Sequence, residues 1–262
     1  MISSLSKKQI RDNRIGLLLD GKVDAEIVVV GSSRALNNYD PQVISKMTGK
    51  KTYNFGVSGS NILFHENIID LLLNSKNKPE TIIYNIDDYG ALFENSNIIY
   101  RKDVLFPYVD SPLINEMIAG QLKKPLIATF FSKTYRQNVN FINGIKFLVY
   151  GRENPDYKTT NFDELGANLL VHRPQDPIPV FNTVGYDISG FSQVPEYVIA
   201  FKNIQMKCRA NNVKLILSLP PLYAASSKGF KEMIVHHILP GIHYLILQDK
   251  CKTRHFSLIL II

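Results

Sequence analysis

The stretch Ala25-Glu26-Ile27-Val28-Val29-Val30-Gly31-Ser32-Ser33-Arg34 decides the fold. Its compact run of β-branched residues is typical of a strand that is buried on both faces of a parallel sheet. Gly31 ends the run, and the two serines lead into helical material at residues 34–48, where Asp40-Pro41 marks the start of a second helix. The sequence therefore predicts a strand that turns directly into a helix.

The same strand-then-helix order continues along the chain. We predict further strands at residues 51–55, 81–86, 213–219 and 244–247, and further helices at residues 5–22, 61–74, 111–122, 132–150, 196–211 and 230–239. Strands that alternate with helices through short loops are typical of a parallel sheet with helices on its faces. The predicted fold is α/β, a three-layer α/β/α sandwich with a parallel sheet of about five strands. One domain is expected over 1–262, with 95–165 as an insertion or cap.

Composition excludes several classes of protein. Hydrophobic residues make up 45% of the 262 residues, which is too many for a disordered chain. Cys208 and Cys251 have neither the number nor the spacing of a disulfide framework or a zinc site. No apolar stretch reaches the roughly 18 residues of a membrane span, so the chain as written is expected to be soluble. The net charge of +7 is dispersed rather than gathered in a basic stripe, so no nucleic-acid partner is expected.

Three strand ends carry the residues that could perform chemistry. Gly31-Ser32-Ser33 follows the first strand, the turn at 56–60 follows the second, and Asp87-Asp88 follows the third. Sites in parallel sheets lie at the carboxyl ends of the strands, where a serine suits a nucleophile and a glycine-rich turn can direct N–H groups at an anion. Each junction also has a structural interpretation, in which the serines or aspartates cap helices and the glycines only turn the chain.

These three junctions resemble the SGNH (GDSL-like) hydrolase superfamily, and most closely its cell-envelope esterases and acyltransferases. The likeness rests on Gly-Ser-Ser-Arg at 31–34 and on Gly-Val-Ser-Gly at 56–59. The resemblance implies a flavodoxin-like topology and Ser33 as the nucleophile. It also implies an oxyanion hole formed by Ser33 and Gly59, with Asp87 at the position of the family's Asn. Gly31, Ser32 and Arg34 would support this site.

Two features depart from the family's pattern. A carboxylate at position 87 would repel an oxyanion unless protonated, so Asp87 has a second interpretation as a structural residue or a partner of Arg34. The family's Asp-x-x-His block is missing, because none of the histidines at 65, 172, 236, 237, 243 and 255 has an Asp three residues before it. His255, which follows Asp249, is the best substitute for the general base by position, and His236 and His237 are the alternatives. We expect a truncated or altered C-terminus, and weak or absent activity as a result.

Other side chains near the strand ends leave alternatives open. Arg34 either pairs with a carboxylate such as Asp87 or binds an acidic group of a substrate, since arginine binds carboxylates and phosphates in a bidentate way. Tyr53, Tyr84 and Tyr89 either line a pocket or pack within the sheet.

The leading expectation is a serine esterase or O-acyltransferase that acts on acyl esters of a cell-envelope polysaccharide through a Ser33 acyl-enzyme, with no metal and no cofactor. The resemblance implies a cell-envelope or extracytoplasmic location, with membrane association only through a segment outside this chain. The alternative is a non-catalytic or decayed member of the fold that binds a glycan without turnover. A nucleotide-binding module is disfavoured because the chain has neither a Gly-x-Gly-x-x-Gly run nor a P-loop.

Overall fold

The computed structural model describes residues 12–87, 91–122, 162–169, 192–219 and 228–246. The strands are β1 Ile27–Val30, β2 Thr52–Asn54, β3 Thr81–Asn85, β4 Lys214–Leu219 and β5 His243–Ile246. The helices are α1 Arg14–Leu19, α2 Ser33–Asn38, α3 Pro41–Thr48, α4 Ile62–Leu73, α5 Lys102–Leu105, α6 Pro112–Leu122, α7 Pro195–Ala210 and α8 Lys228–His236, with a 3-10 turn at Phe106–Tyr108. The predicted strands are confirmed with small shifts of their ends, whereas the helix predicted at 132–150 lies outside the described residues.

All five strands form one parallel sheet in the order β2-β1-β3-β4-β5. The register pairs Val29 with Asn54 on one side of β1, and Val30 with Tyr84 on the other. The strand order places β1 between β2 and β3, so that the chain reverses its direction of travel across the sheet after β2. The predicted α/β sandwich with a five-stranded parallel sheet is confirmed.

Helices cover both faces of the sheet. On one face, Ile27 and Val29 form a buried cluster with Ala35 of α2, Ile44 of α3 and Ile83 of β3. On the other face, α4 packs against Tyr84 of β3 and against α7. All four residues of β1 are at most 1% exposed, which explains why its sequence is continuously apolar rather than alternating.

Local capping sets the helix starts that the sequence predicted. Asp40 accepts hydrogen bonds from the backbone nitrogens of Gln42 and Val43, at 2.8 and 3.3 Å, and Pro41 is the first residue of α3. Asn61 accepts a hydrogen bond from the nitrogen of Phe64 at 3.2 Å and caps α4. These side chains satisfy N–H groups that have no partner within their own helices.

The chain divides into two compact units, of which the second contains the whole sheet. The first unit draws on Met1–Lys22 and Arg101–Asn161, and its described part holds α1, α5, α6 and the 3-10 turn. The second unit draws on Val23–Tyr100 and Phe162–Ile262. The expectation of one domain over 1–262, with 95–165 as an insertion or cap, stays a prediction.

Candidate active site

The candidate site lies where β1, β2 and β3 end side by side. Ser33 follows β1, Gly59 follows β2, and Asp87 follows β3, and these strands are neighbours in the sheet. The edge between β1 and β3 is the topological switch point of this strand order, and ligands in open parallel sheets bind in the crevice at such a point. The strand order therefore brings the three predicted junctions to one edge of the sheet.

Gly31 lets β1 end in contact with β3. A Cβ atom at this position would lie 2.9 Å from the Cβ of Asn85 and 2.9 Å from the Cβ of Ala35, closer than real side chains approach. The Gly31 carbonyl accepts a hydrogen bond from the nitrogen of Val57 at 2.9 Å, which ties the first junction to the turn after β2. Any larger residue at position 31 would therefore push α2 and the end of β3 away from the end of β1.

The two serines that follow Gly31 have different surroundings. Ser32 occupies the N-cap position of α2, yet its side chain makes no capping hydrogen bond. Its hydroxyl, on a residue that is 4% exposed, instead donates to Oδ2 of Asp87. Ser33 is the first residue of α2 and is half-buried, and no described side chain hydrogen bonds to its hydroxyl. Of the two serines, Ser33 is the more exposed.

Asp87 is buried and surrounded by donors. Its Oδ2 accepts from Ser32, while its Oδ1 accepts from Nδ2 of Asn85 at 3.0 Å and lies 3.6 Å from the Arg34 guanidinium. Burial raises the pKa of the Asp87 carboxyl, and the Arg34 charge and the two hydrogen bonds partly offset that rise. The ion pair with Arg34 is one of the two roles that the sequence indicated for both residues. A role for Asp87 as an oxyanion donor would require its protonated form, because only that form has a hydrogen to donate.

Asn85, which bonds to Asp87, is part of a further set of hydrogen bonds between buried polar side chains. The Tyr39 hydroxyl lies 3.1 Å from Oδ1 of Asn85 and 2.7 Å from Oγ of Ser218, and all three residues are at most 3% exposed. Sequence reasoning missed Tyr39 and Ser218. The sequence did contain one indication of this contact, because Ser218 is a polar residue inside the apolar strand β4. A buried hydroxyl in such a strand requires a hydrogen-bond partner.

Asn54 fixes α2 to the turn after β2. Its Nδ2 donates to the carbonyls of Ala35 and Tyr39 at 2.8 and 3.0 Å, and its Oδ1 accepts from the nitrogen of Gly56 at 2.8 Å. The side chain is fully buried, so these bonds form without competition from water. Asn54 thereby sets the position of the helix that carries Ser33, a role that sequence reasoning did not assign to it.

Gly59 lies in the turn that leads from β2 to α4. Its φ is +69°, and its carbonyl accepts from the nitrogen of Ile99 at 2.9 Å. The residue is half-buried, and its N–H donates to no acceptor in the described part of the chain. The Ser33 N–H is likewise without an acceptor among the residues the structure describes. Both amides that the resemblance assigns to an oxyanion hole thus lack an acceptor within the described ranges.

No described histidine hydrogen bonds to Ser33. His65 contacts Ser60 and Tyr84, His237 contacts Gln193 at 3.1 Å, His236 packs against His237, and His243 begins β5. His255, the predicted general base, and His172 lie outside the described residues. Tyr53 and Tyr84, two of the predicted pocket residues, are buried, at 8% and 1% exposure, and Tyr89 lies outside the described ranges.

Comparisons with known proteins leave the family open. No protein-family model, no curated protein and no solved structure matched this chain. Within the described ranges, no helix has both the length and the apolar character that a bilayer span requires. The same ranges hold no group of three His, Cys, Asp or Glu side chains arranged to bind a metal ion.

Proposed function

We propose that this protein is a serine esterase or O-acyltransferase that acts on acyl esters of a cell-envelope polysaccharide or a related polymer. The observation that carries the proposal is the difference in burial and hydrogen bonding between two adjacent serines. Ser32 is buried against Asp87, while Ser33 is half-buried at the switch point of the sheet, and its hydroxyl has no hydrogen-bond partner among the described residues. The choice of a cell-envelope glycan rests on the resemblance of Gly31-Ser32-Ser33-Arg34 to the SGNH hydrolases.

The proposed reaction passes through an acyl-enzyme. Ser33 Oγ attacks the acyl carbonyl while a base takes its proton, and the N–H groups of Ser33 and Gly59 donate to the oxyanion that forms. The carbonyl reforms as the bond to the glycan oxygen breaks, and the base returns the proton to that oxygen. Water in an esterase, or an acceptor hydroxyl in a transferase, then attacks the acyl carbon while the base takes its proton. The bond to Ser33 Oγ breaks, and the base returns the proton to Ser33.

Covalent labelling with a fluorophosphonate probe, read by intact mass, tests this proposal. We expect one adduct on the wild type and none on Ser33→Ala. Ser75→Ala is the matched control, since Ser75 donates to the Leu72 carbonyl at the end of α4, and it should label like the wild type. Any turnover of aryl acetates should be weak in the wild type and in Ser75→Ala, and absent in Ser33→Ala. A folded wild-type protein that takes no label would overturn the esterase proposal.

The second candidate is a glycan-binding protein of the same fold that has no turnover. It is favoured by the surroundings of Ser33, to which no histidine among the described residues hydrogen bonds. A serine without a base is a poor nucleophile. Binding of an acylated polysaccharide, with neither labelling nor ester cleavage, would support this candidate over the enzyme.

A further inference from the structure

A second line of buried hydrogen bonds runs from the sheet to the turn that contains Gly59. Nδ1 of His65 lies 3.2 Å from the hydroxyl of Tyr84, and Nε2 of His65 lies 2.7 Å from Oγ of Ser60. Ser60 Oγ in turn donates to the carbonyl of Val57 at 2.6 Å. Ser60 and His65 are 1% and 5% exposed, so both are inaccessible to a substrate.

These contacts assign the tautomer of His65. A carbonyl can only accept, so the single hydroxyl hydrogen of Ser60 is directed at Val57. Ser60 Oγ must therefore accept from His65, which places the imidazole hydrogen on Nε2. Nδ1 is then an acceptor, and the Tyr84 hydroxyl donates to it. Every hydrogen in this line points from β3 towards the turn.

The last hydrogen bond of this line joins two residues that flank Gly59 in the sequence. Ser60 follows Gly59 directly, and Val57 precedes it by two residues, so the Ser60–Val57 bond closes the turn around Gly59. The nitrogen of Val57 also donates to the Gly31 carbonyl, which leads into Ser32 and Ser33. The turn that carries Gly59 is therefore tied both to His65, through Ser60, and to the junction that precedes Ser33.

We infer that His65 is a positioning residue for the proposed reaction: through Ser60, it holds the Gly59 N–H in the orientation that receives the oxyanion on the substrate attacked by Ser33. This inference rests on the proposed function, since it assigns a role to a residue that touches neither the nucleophile nor the substrate. It also explains why a buried histidine without a charged partner occupies the first turns of α4.

Burial keeps the imidazole in the form that this role requires. It lowers the pKa of His65 to about 3, so the side chain is neutral at physiological pH and retains one donor and one acceptor. The Tyr84 ring packs edge-on against the imidazole, with 5.6 Å between ring centroids, and restricts its rotation.

The test compares rates of fluorophosphonate labelling at Ser33 in three variants. His65→Asn carries an amide at the Nδ1 end that cannot reach Ser60, and Ser60→Ala removes the link itself. His65→Gln extends an amide N–H to the Nε2 position and should rescue the contact. Gln205→Ala is the control, because Gln205 is also fully buried but bonds to Phe201, His237 and Leu239.

We expect His65→Asn and Ser60→Ala to lower the maximal labelling rate roughly tenfold to a hundredfold, with little change in the half-saturating probe concentration. His65→Gln and Gln205→Ala should label at close to the wild-type rate, and urea titrations establish that each variant is folded. Wild-type rates in both His65→Asn and Ser60→Ala would overturn the inference while leaving the proposed function intact. An equal loss of rate in Gln205→Ala would also overturn it, since any buried polar residue would then suffice. A wild-type protein that is not labelled at Ser33 overturns the proposed function and this inference with it.

Discussion

Ser32 and Ser33 are adjacent in the sequence, but their side chains have different surroundings because they point in different directions at the start of α2. Successive residues at a helix start are rotated by about 100° around its axis, so neighbouring side chains point in different directions. At this junction one rotation directs the Ser32 hydroxyl to Asp87, and the next leaves Ser33 half-exposed. The identity of the candidate nucleophile thus follows from where α2 begins.

Burial shifts the pKa values of Asp87 and His65, two groups near the candidate site, in opposite directions. Burial raises the pKa of Asp87 and lowers the pKa of His65, because in both cases it disfavours the charged form. The rise in the pKa of Asp87 is partly offset by the charge of Arg34 and by hydrogen bonds from Ser32 and Asn85. The partners of His65 in the described part of the chain, Ser60 and Tyr84, are neutral, and burial keeps the imidazole uncharged.

The free energy of unfolding should depend on pH in a way that reflects the protonation of His65. Its pKa is about 3 in the folded protein and 6.5 when unperturbed, so between these values the unfolded chain binds a proton that the folded protein does not. The free energy of unfolding therefore rises with pH across this window, with a contribution of up to about 1.4 kcal/mol per pH unit.

Urea titrations of the wild type and of His65→Gln isolate this contribution, because other titrating groups act in both proteins. We expect the stability advantage of the wild type to grow from about pH 4 to about pH 6.5 and then to stay constant. A difference that does not vary over this interval would contradict the burial of a neutral His65.

At the scale of elements, α2 is held in place by its neighbours rather than by its own helix propensity. A helix of six residues is too short to be stable alone. Asn54 binds the carbonyl of Ala35 in α2 and that of Tyr39, which directly follows the helix, and the backbone of Gly56 lies directly against Leu36. The position of Ser33 therefore depends on the turn after β2 as much as on β1.

Gly56→Ala should destabilise the protein, because the added Cβ would lie 2.7 Å from the Cα of Leu36 and must displace backbone rather than a flexible side chain. We expect a loss of about 2 kcal/mol or more in the free energy of unfolding, and slower labelling of Ser33. Gly120→Ala in α6 is the control, since a Cβ there meets nothing within 4 Å. Alanine favours helix over glycine, so this variant should be as stable as the wild type or more so. Equal stability of Gly56→Ala and the wild type in urea would contradict the close approach of α2 to the turn.

At the scale of the whole molecule, the sheet brings distant parts of the chain to one edge. The strands are parallel, so β5 ends at the same edge as β1 and β3. The chain leaves the described residues there, at Ile246, before reaching His255.

If His255 is the general base, as its position in the sequence predicts, His255→Ala should abolish fluorophosphonate labelling of Ser33, because the serine would lose the group that accepts its proton. His172→Ala is the matched control, a histidine whose position in the sequence corresponds to no block of the SGNH pattern, and it should label normally. Intact mass measured over time gives both rates. Normal labelling of His255→Ala alongside loss in His172→Ala would reverse the assignment, and normal labelling of both would exclude each as the base.

The sequence by itself determined the number, order and composition of the strands, and the helix break at Asp40-Pro41. These features depend on local hydrophobic runs and on capping residues, which act within a few positions of the chain. It also predicted that Ser33, Gly59 and Asp87 follow three strands that end at one edge. Only the tertiary structure decided that Ser32 and not Ser33 bonds to Asp87, and that Tyr39 reaches Ser218. Those partners lie 55 and 179 residues apart in the sequence, and a local pattern reports that a side chain is buried but not which distant group satisfies it.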